Sequence, residues 1–276
     1  MVSQEKETVI KGNLGYKFWR GEHKCTIENQ LFSNIDFPIN FNTSVDVNKL
    51  KNEYDYVVVA TGDEIIAKGF GIFNQTFASY VRIATISGEY NPDSWKIWLN
   101  TDYAKNAHAY MAPKDSNKAC LVLIVNDIEK EDLDYYWKKF ITQEKITYTI
   151  EKTMDLSHNL GYLSSNVVDN VLFTGIPGGC IDDCLGFGVV KGIESGVLAA
   201  RSIIYKQDYN KLINPIKNDI KRKHEFRKVI NTFNNQKFYR LVTFLGLPFI
   251  KQFIYNNPLS KIKYYTFLAK IYNKFY

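Results

Sequence analysis

Cysteine and long apolar runs are both scarce in this sequence of 276 residues. Its four cysteines (Cys25, Cys120, Cys180 and Cys184) are too few for the disulfide framework that stabilises many secreted domains. The longest uncharged stretch of the apolar C-terminal region, residues 241–250, has half of the ~20 residues that a bilayer-spanning helix needs. The N-terminal residues carry charges where a secretory signal would have an apolar core. We therefore expect a reduced, cytoplasmic protein that does not span a membrane.

Patterns typical of metal sites and nucleophilic enzymes are also missing. The histidines are scattered along the chain, and no second ligand pair accompanies the Cys180/Cys184 pair, so we predict no zinc site. Residues 192–196, Gly-Ile-Glu-Ser-Gly, lack the spacing of a serine nucleophile turn. The two thiols are either inert packing groups or a redox-active pair.

Acidic residues are absent from residues 226–276, which carry nine Lys and Arg. Residues 201–276 contain sixteen basic and three acidic residues, whereas residues 1–200 are net acidic. Aromatic and aliphatic residues are interspersed with the basic ones. Three interpretations therefore remain open: helices that cap the core, a peripheral surface for anionic membranes, or a nucleic-acid site. No nucleic-acid motif is present, so we predict no nucleic-acid partner. Only six of the 35 basic residues are Arg, so codon bias in an AT-rich genome is another source of lysine.

Apolar patterning predicts an α/β chain with an antiparallel insertion. Residues 54–60 and 170–174 read as buried parallel strands, and residues 187–205 read as a helix. Between the two strands, runs separated by Gly, Pro, Asn and Asp predict an antiparallel sheet, followed by a helix over residues 129–142. The predicted sheet strands are residues 80–86, 95–99, 107–111 and 119–125. Residues 27–31 fit a short helix, and residues 208–276 read as about three helices broken near residues 234–235 and 256–258.

Residues 175–188 form a glycine-rich segment between the second strand and its helix. That helix has a small residue every four positions (Gly188, Gly192, Gly196 and Ala200), which predicts a face closely approached by another backbone or a flat ligand. The amides at the helix start would attract anions. From spacing alone, the segment is either a dinucleotide or flavin site or a tight turn without a ligand, since it lacks GxGxxG.

Residues 174–200 resemble the second FAD-binding motif of the geranylgeranyl reductase family, within the hydroxybenzoate-hydroxylase-like flavoproteins. Gly175, Gly179, Asp182, Gly186 and Gly188 fall on the family's positions, and Ser-Gly-Val-Leu-Ala-Ala at residues 195–200 completes the motif. Residues 56–62 are similar to the family's strand ending in Ala-Thr-Gly. Residues 108–114 resemble its substrate-sheet motif, and residues 27–31 resemble the helix downstream of a cofactor-contacting arginine.

The resemblance implies a partial FAD/NAD(P)-binding Rossmann-like domain, an antiparallel substrate sheet and a helical C-terminus. It implies domain segments of residues 1–62 (FAD-binding), 63–150 (substrate sheet), 151–206 (return to the FAD-binding domain) and 207–276 (basic helices). It implies an FAD-dependent oxidoreductase acting on an apolar, isoprenoid or lipid-like substrate, with a flavin ring against residues 186–188. It places His108 and Tyr110 at the substrate. The implied cofactor-binding residues are Gly175, Gly178, Gly179, Asp182, Gly186, Phe187, Gly188, Thr61, Gly62 and Arg20.

Two departures from the family pattern concern the cofactor. Residues 1–50 contain no strand–GxGxxG–helix unit, which in the family receives the FAD pyrophosphate. Ile176 replaces an aspartate that accepts a hydrogen bond from FAD. We therefore predict weak or absent FAD binding by this chain alone. The alternative is a non-catalytic, truncated relative that binds a membrane surface or a partner.

Overall fold

The computed structural model describes residues 1–3, 6–12, 17–21 and 23–255. In chain order, the elements are β1 (Val2–Ser3), β2 (Lys6–Glu7), α1 (Ile27–Phe32), α2 (Val47–Glu53), β3 (Val57–Val59), α3 (Ile65–Gly69), β4 (Phe73–Ser87), β5 (Lys96–Trp98), α4 (Thr101–Ala104), β6 (Ala109–Pro113), β7 (Lys118–Asn126), α5 (Leu133–Gln143), β8 (Thr149–Leu163), β9 (Val167–Val168), β10 (Val171–Phe173), α6 (Val189–Ile204), α7 (Tyr209–Asn231), α8 (Asn235–Leu245) and α9 (Pro248–Tyr255).

Seven strands form a large, mainly antiparallel sheet in the order β2-β1-β5-β6-β7-β4-β8. The predicted antiparallel sheet is therefore confirmed, because β4 through β8 pair antiparallel and only β1 joins β5 in parallel. One face is buried by α4 and α5. Alternate side chains of β4 and β7 meet Trp137 and Phe140 there, in the largest apolar core of the chain.

Strand β8 was not predicted, and it moves a domain boundary. Residues 149–163 pair along nearly the whole of β4, so the sheet continues past the boundary expected at residue 150. Its first half is exposed and rich in polar residues because β8 lies at the edge of the sheet. Strand β1 also joins this sheet, although residues 1–62 were assigned to the FAD-binding segment. The correction follows from backbone pairing, which local patterning does not reveal.

The second sheet is small, with strand order β3-β10-β9, and β3 runs parallel to β10 as predicted. Val57 and Val59 point into a core built with α2 and α3. Val58 points the other way and is 44% exposed, so the prediction that this strand is buried on both faces is wrong. Among the described residues, β3 pairs with β10 alone and leaves its other edge open.

The C-terminal helices cover both sheets. Helix α7 packs its buried residues (Tyr209, Ile213, Ile216 and Ile220) beside α6 over β10. Helix α8 buries Phe238 and Val242 and contacts β1 and β2, so this part of the basic region is a cap on the core. The break near residue 234 is confirmed, whereas the break between α8 and α9 was not predicted. The break expected at residues 256–258 lies outside the described residues.

Within the described part of the chain, none of the helices has the length and apolar character needed to span a bilayer.

Candidate functional site

The glycine-rich turn between β10 and α6 needs several of its glycines for steric reasons. Gly175, Gly179 and Gly186 have φ angles of +58°, +68° and +76°, a region that other residues adopt with strain. A Cβ on Gly178 would lie 2.7 Å from the Phe173 carbonyl oxygen. A Cβ on Gly188 would lie 2.2 Å from Ile181 Cγ1. The turn is therefore closely packed against its own strand and loop.

The first half of the turn satisfies its own backbone amides. Gly178 N–H donates to the Thr174 carbonyl at 3.0 Å, and Cys180 N–H donates to the Gly175 carbonyl at 2.8 Å. Gly175 N–H donates to Ser195 Oγ at 3.0 Å, which ties the turn to α6. These amides are already used, so the tight-turn interpretation accounts for this half.

Asp182 holds the second half of the turn together. Its buried carboxylate accepts a hydrogen bond from Leu185 N–H at 2.9 Å and pairs with Lys223 Nζ of α7 at 3.3 Å. Lys223 also lies 3.4 Å from Asp219, which pairs with Lys191 of α6 at 2.5 Å. Because the Asp182 side chain faces inward, its contacts are structural, and its predicted role in cofactor binding stays a prediction.

An exposed apolar surface lies at the start of α6. This surface consists of Leu185, Gly186, Phe187, Gly188 and Val190, and Phe187 and Val190 are 60% and 70% exposed beside the two glycines. We call it the ring-contact surface, because the resemblance described above implies a flavin ring against residues 186–188. Gly188 is the N-cap of α6 and provides no side-chain cap. The arrangement offers a flat apolar contact beside a helix start with a partial positive charge. The predicted contact of Gly186, Phe187 and Gly188 with a flavin ring stays a prediction.

The small-residue face of α6 is open along most of its length. A Cβ on Gly192 would meet only the Gly175 Cα, at 3.8 Å, and a Cβ on Gly196 would meet nothing within 4 Å among the described residues. The predicted close approach is present at Gly188 and wrong at Gly192 and Gly196. Ile193 and Val197 beside them are exposed, so this side of α6 is uncovered in the described structure.

The end of β3 lies at the same sheet edge as the turn. The strands are parallel, and Thr174 N–H donates to the Val59 carbonyl at 2.9 Å, so Thr61 and Gly62 follow β3 where Gly175 follows β10. Ligands of α/β sheets bind at this carboxyl edge. Arg20, which the resemblance also places at the cofactor, precedes α1 in the chain and pairs with Glu28 of that helix.

His108 and Tyr110 precede and lie within β6, with their rings 6.0 Å apart. Burial, together with the charges of Arg227 and His158, lowers the pKa of His108 to about 4. Tyr110 stacks on Trp95 at 5.8 Å, and burial raises its pKa to about 12. His108 borders a cavity of only about 10 Å³ beneath the turn, and Tyr110 does not. The structure thus brings one of the two predicted substrate residues to the turn.

Sequence reasoning missed four polar residues beside the turn. Asp183 pairs with Nδ1 of His224 at 2.5 Å, and both border a cleft of about 620 Å³. Arg227 and His158 border the small cavity with His108 and Asp183. His224 lies 41 residues from Asp183, and Arg227 lies still further along α7, so spacing along the chain could not reveal them. Asp183, the second carboxylate of the Asp-Asp pair in the turn, was the visible signal.

The fold is that of FAD-dependent flavoproteins. The geranylgeranyl bacteriochlorophyll reductase-like protein of Thermoplasma acidophilum superposes with a TM-score of 0.60 at 17% identity, over 79% of this chain and 58% of that one. The flavin-dependent halogenase CmlS gives 0.53 at 10% identity, over 78% and 48%. A flavoprotein/dehydrogenase of Cytophaga hutchinsonii gives 0.51 at 11% identity, over 79% and 62%. This chain therefore spans less than two thirds of the length of each. No family model matches the sequence.

The described residues fit one end of an FAD molecule. The ring-contact surface offers exposed apolar side chains against which a flavin ring would lie. No second strand–glycine turn–helix unit lies beside β3 among the described residues, and Ile176 offers no side-chain acceptor. The adenosine diphosphate end of FAD therefore has no receptor in this part of the chain. No group of His, Cys, Asp and Glu in the described structure could hold a metal ion.

Proposed function

We propose that this chain contributes the flavin-ring end and the substrate sheet of an FAD-dependent oxidoreductase of the geranylgeranyl reductase type. The observation that carries the proposal is the ring-contact surface, where two glycines and an exposed Phe187 meet at the start of α6. Contiguous exposed apolar side chains commonly mark a surface that binds a ligand or a partner. When bound, the flavin supplies the hydride chemistry.

The open edge of β3 supports a second part of the proposal. Parallel sheets are normally covered on both faces, and their inner strands are paired on both edges. Here Val58 lies beside Leu172, on the sheet face against which α6 packs, and it is 44% exposed. A strand paired to β3, followed by a helix beside α6, would cover both the open edge of β3 and Val58. We infer that such a unit, lying outside the described residues, completes the pyrophosphate end of the cofactor site.

The substrate sheet supports an apolar substrate. The sheet face that carries Tyr110 also carries Val122, Leu156 and Ile83, and several of these side chains are only partly buried. Trp95 stacks on Tyr110 and is itself exposed. An isoprenoid or lipid-like chain would lie against this face more favourably than a polar one, because each buried methylene contributes about 0.8 kcal/mol.

Flavin titration tests the ring-contact surface directly. Binding of FMN, followed by quenching of its fluorescence, should weaken at least tenfold in Phe187→Glu, because a carboxylate would replace the apolar contact and repel the phosphate. Ile204→Glu is the matched control, since Ile204 is equally exposed at the other end of α6. Unchanged FMN affinity in Phe187→Glu, or an equal loss in both variants, contradicts the proposed site.

The second candidate is a non-catalytic relative that binds a partner or a membrane surface. It is favoured by the small cavity, which leaves no room for a substrate beside His108 without movement. Its partner would occupy the open side of β3 and α6, or anionic lipid would bind residues 226–276. If the chain binds neither FMN nor FAD, even when a partner covers the open edge of β3, this candidate is favoured over the enzyme.

A further inference from the structure

Three buried polar atoms around the small cavity have no hydrogen-bond partner among the described residues. They are Asp183 Oδ1, Arg227 Nε and His158 Nδ1, and their residues all border the same cavity beneath the turn. Asp183 and Arg227 are almost fully buried. Leaving a buried donor or acceptor atom without a partner is unfavourable, even where other atoms of the same side chain are hydrogen-bonded. Three such atoms around one cavity indicate that something fills it.

The size of the cavity restricts what can fill it. Its volume of about 10 Å³ is close to the smallest space that holds one water molecule, roughly 10–15 Å³. An organic substrate would not fit. The occupant is therefore a single small molecule or ion.

The chemistry of the three atoms selects water. Asp183 Oδ1 requires a hydrogen-bond donor, and a halide ion cannot donate. Arg227 Nε–H requires an acceptor, and a metal cation cannot accept. A water molecule can donate to Asp183 and to His158 Nδ1 while it accepts from Arg227. Buried waters commonly make about three such bonds.

We propose that Asp183, Arg227 and His158 bind an internal water molecule, and that this water and His224 form a proton route from the cleft to the turn. His224 borders the cleft and is bonded to the other oxygen of Asp183. At the opposite end, the His158 ring packs beneath Gly186 of the ring-contact surface, since its Cε1 would lie 3.6 Å from a Cβ there. Its use in catalysis rests on the proposed function, whereas the water and the route do not.

The transfer moves one proton and no electrons. A proton from the cleft binds His224 Nε2, and the imidazolium releases its Nδ1 proton to Asp183 Oδ2. The neutral carboxyl group turns to present its O–H to the water. The water takes that proton as it gives one of its own to His158 Nδ1, which leaves Asp183 ionised again. The His224 ring then turns so that Nδ1 takes a proton from water in the cleft while Nε2 releases one, which restores the starting tautomer.

A high-resolution crystal structure of the full chain tests the water. We expect one oxygen within hydrogen-bond distance of Asp183 Oδ1, Arg227 Nε and His158 Nδ1. Neutron data after exchange into D2O should show its deuterons directed at Asp183 and His158. An empty cavity, a halide, or a direct bond between Asp183 Oδ1 and Arg227 Nε overturns the proposal.

Proton exchange at His158 tests the route without any flavin. Relaxation-dispersion NMR of the labelled ring should give an exchange rate at least tenfold lower in His224→Gln and in Asp183→Asn than in the original chain. Burial lowers the pKa of His158 and the charge of Glu64 raises it, while Asp183, His108 and Arg227 border the same cavity. The exchange rate is therefore compared at the titration midpoint of His158 in each variant.

Lys228→Gln is the matched control, because Lys228 borders the cleft but lies outside the route. Its exchange rate should be unchanged. A rate in folded His224→Gln equal to that of the original chain overturns the route, and loss of flavin binding would not. Failure of the FMN titration, conversely, would leave the water and the exchange rates as predicted here.

Discussion

Replacing Gly178 by alanine should destabilise the turn that carries the candidate site. The added Cβ would lie 2.7 Å from the Phe173 carbonyl oxygen and 2.8 Å from two backbone carbons of Thr174. All three are backbone atoms of β10 or its continuation, so no side chain can rotate away. Overpacking of this kind costs about 1–3 kcal/mol, and for a chain of this size that corresponds to a fall in Tm of roughly 2–12 °C.

Gly196→Ala is the matched control for this effect. Nothing among the described residues lies within 4 Å of its added Cβ, and alanine is favoured over glycine inside a helix by about 1 kcal/mol. Thermal unfolding followed by circular dichroism should therefore show Gly178→Ala below the original chain and Gly196→Ala at or above it. Equal melting temperatures for the two variants would refute the packing of the turn described here. A lower Tm for Gly196→Ala alone would show that the face of α6 is covered.

Three further outcomes are expected. The chain should co-sediment with anionic vesicles, and this binding should weaken as salt rises and on deletion of residues 256–276. The deletion should leave Tm unchanged, because α8 is retained. Equal binding to neutral vesicles would refute the charge argument. The hydrogen bond from Arg82 lowers the pKa of Asp155, so the pair stabilises the fold above about pH 4 and this contribution is lost as the pH falls further. Arg82→Met should remove that part of the acid unfolding curve. An unaltered curve would count against the stabilising role of the pair. A thiol reagent at neutral pH should modify exposed Cys25 first. Cys180 and Cys184 should react slowly, because burial raises the pKa of both thiols. Fast reaction of this pair would instead support a redox role.

Local patterns predicted the elements that short-range contacts determine. Helix α1 begins at Thr26, whose side chain accepts a hydrogen bond from Asn29 N–H, and helix α6 follows the glycine-rich turn within two residues of its predicted start. Strand β10 and the presence of β4 and β7 in an antiparallel sheet were equally visible, because continuous apolar runs between turn residues mark buried strands.

The remaining features depend on contacts between distant parts of the chain. Strand β8 is half exposed at a sheet edge, so its sequence shows no strong apolar alternation. Exposure of Val58 depends on which strand neighbours β3, and three adjacent valines give no sign of it. Arg227 reads as part of a basic run, yet it is buried with its Nη2 donating to the Asn106 carbonyl at 2.9 Å. Its position beneath the turn follows from the docking of α7.

The relative affinity of the chain for FMN and FAD tests the central claim most directly. FAD differs from FMN by an adenylate group, and in the proposed site the described residues contact the flavin ring and leave the adenosine diphosphate part unbound. Titration of both under one buffer should give dissociation constants within about threefold of each other, with no competition from ADP, because an unbound group contributes nothing to affinity. FAD binding a hundredfold tighter than FMN, or competitive displacement by ADP, would contradict the claim that this chain holds only the ring end of the cofactor.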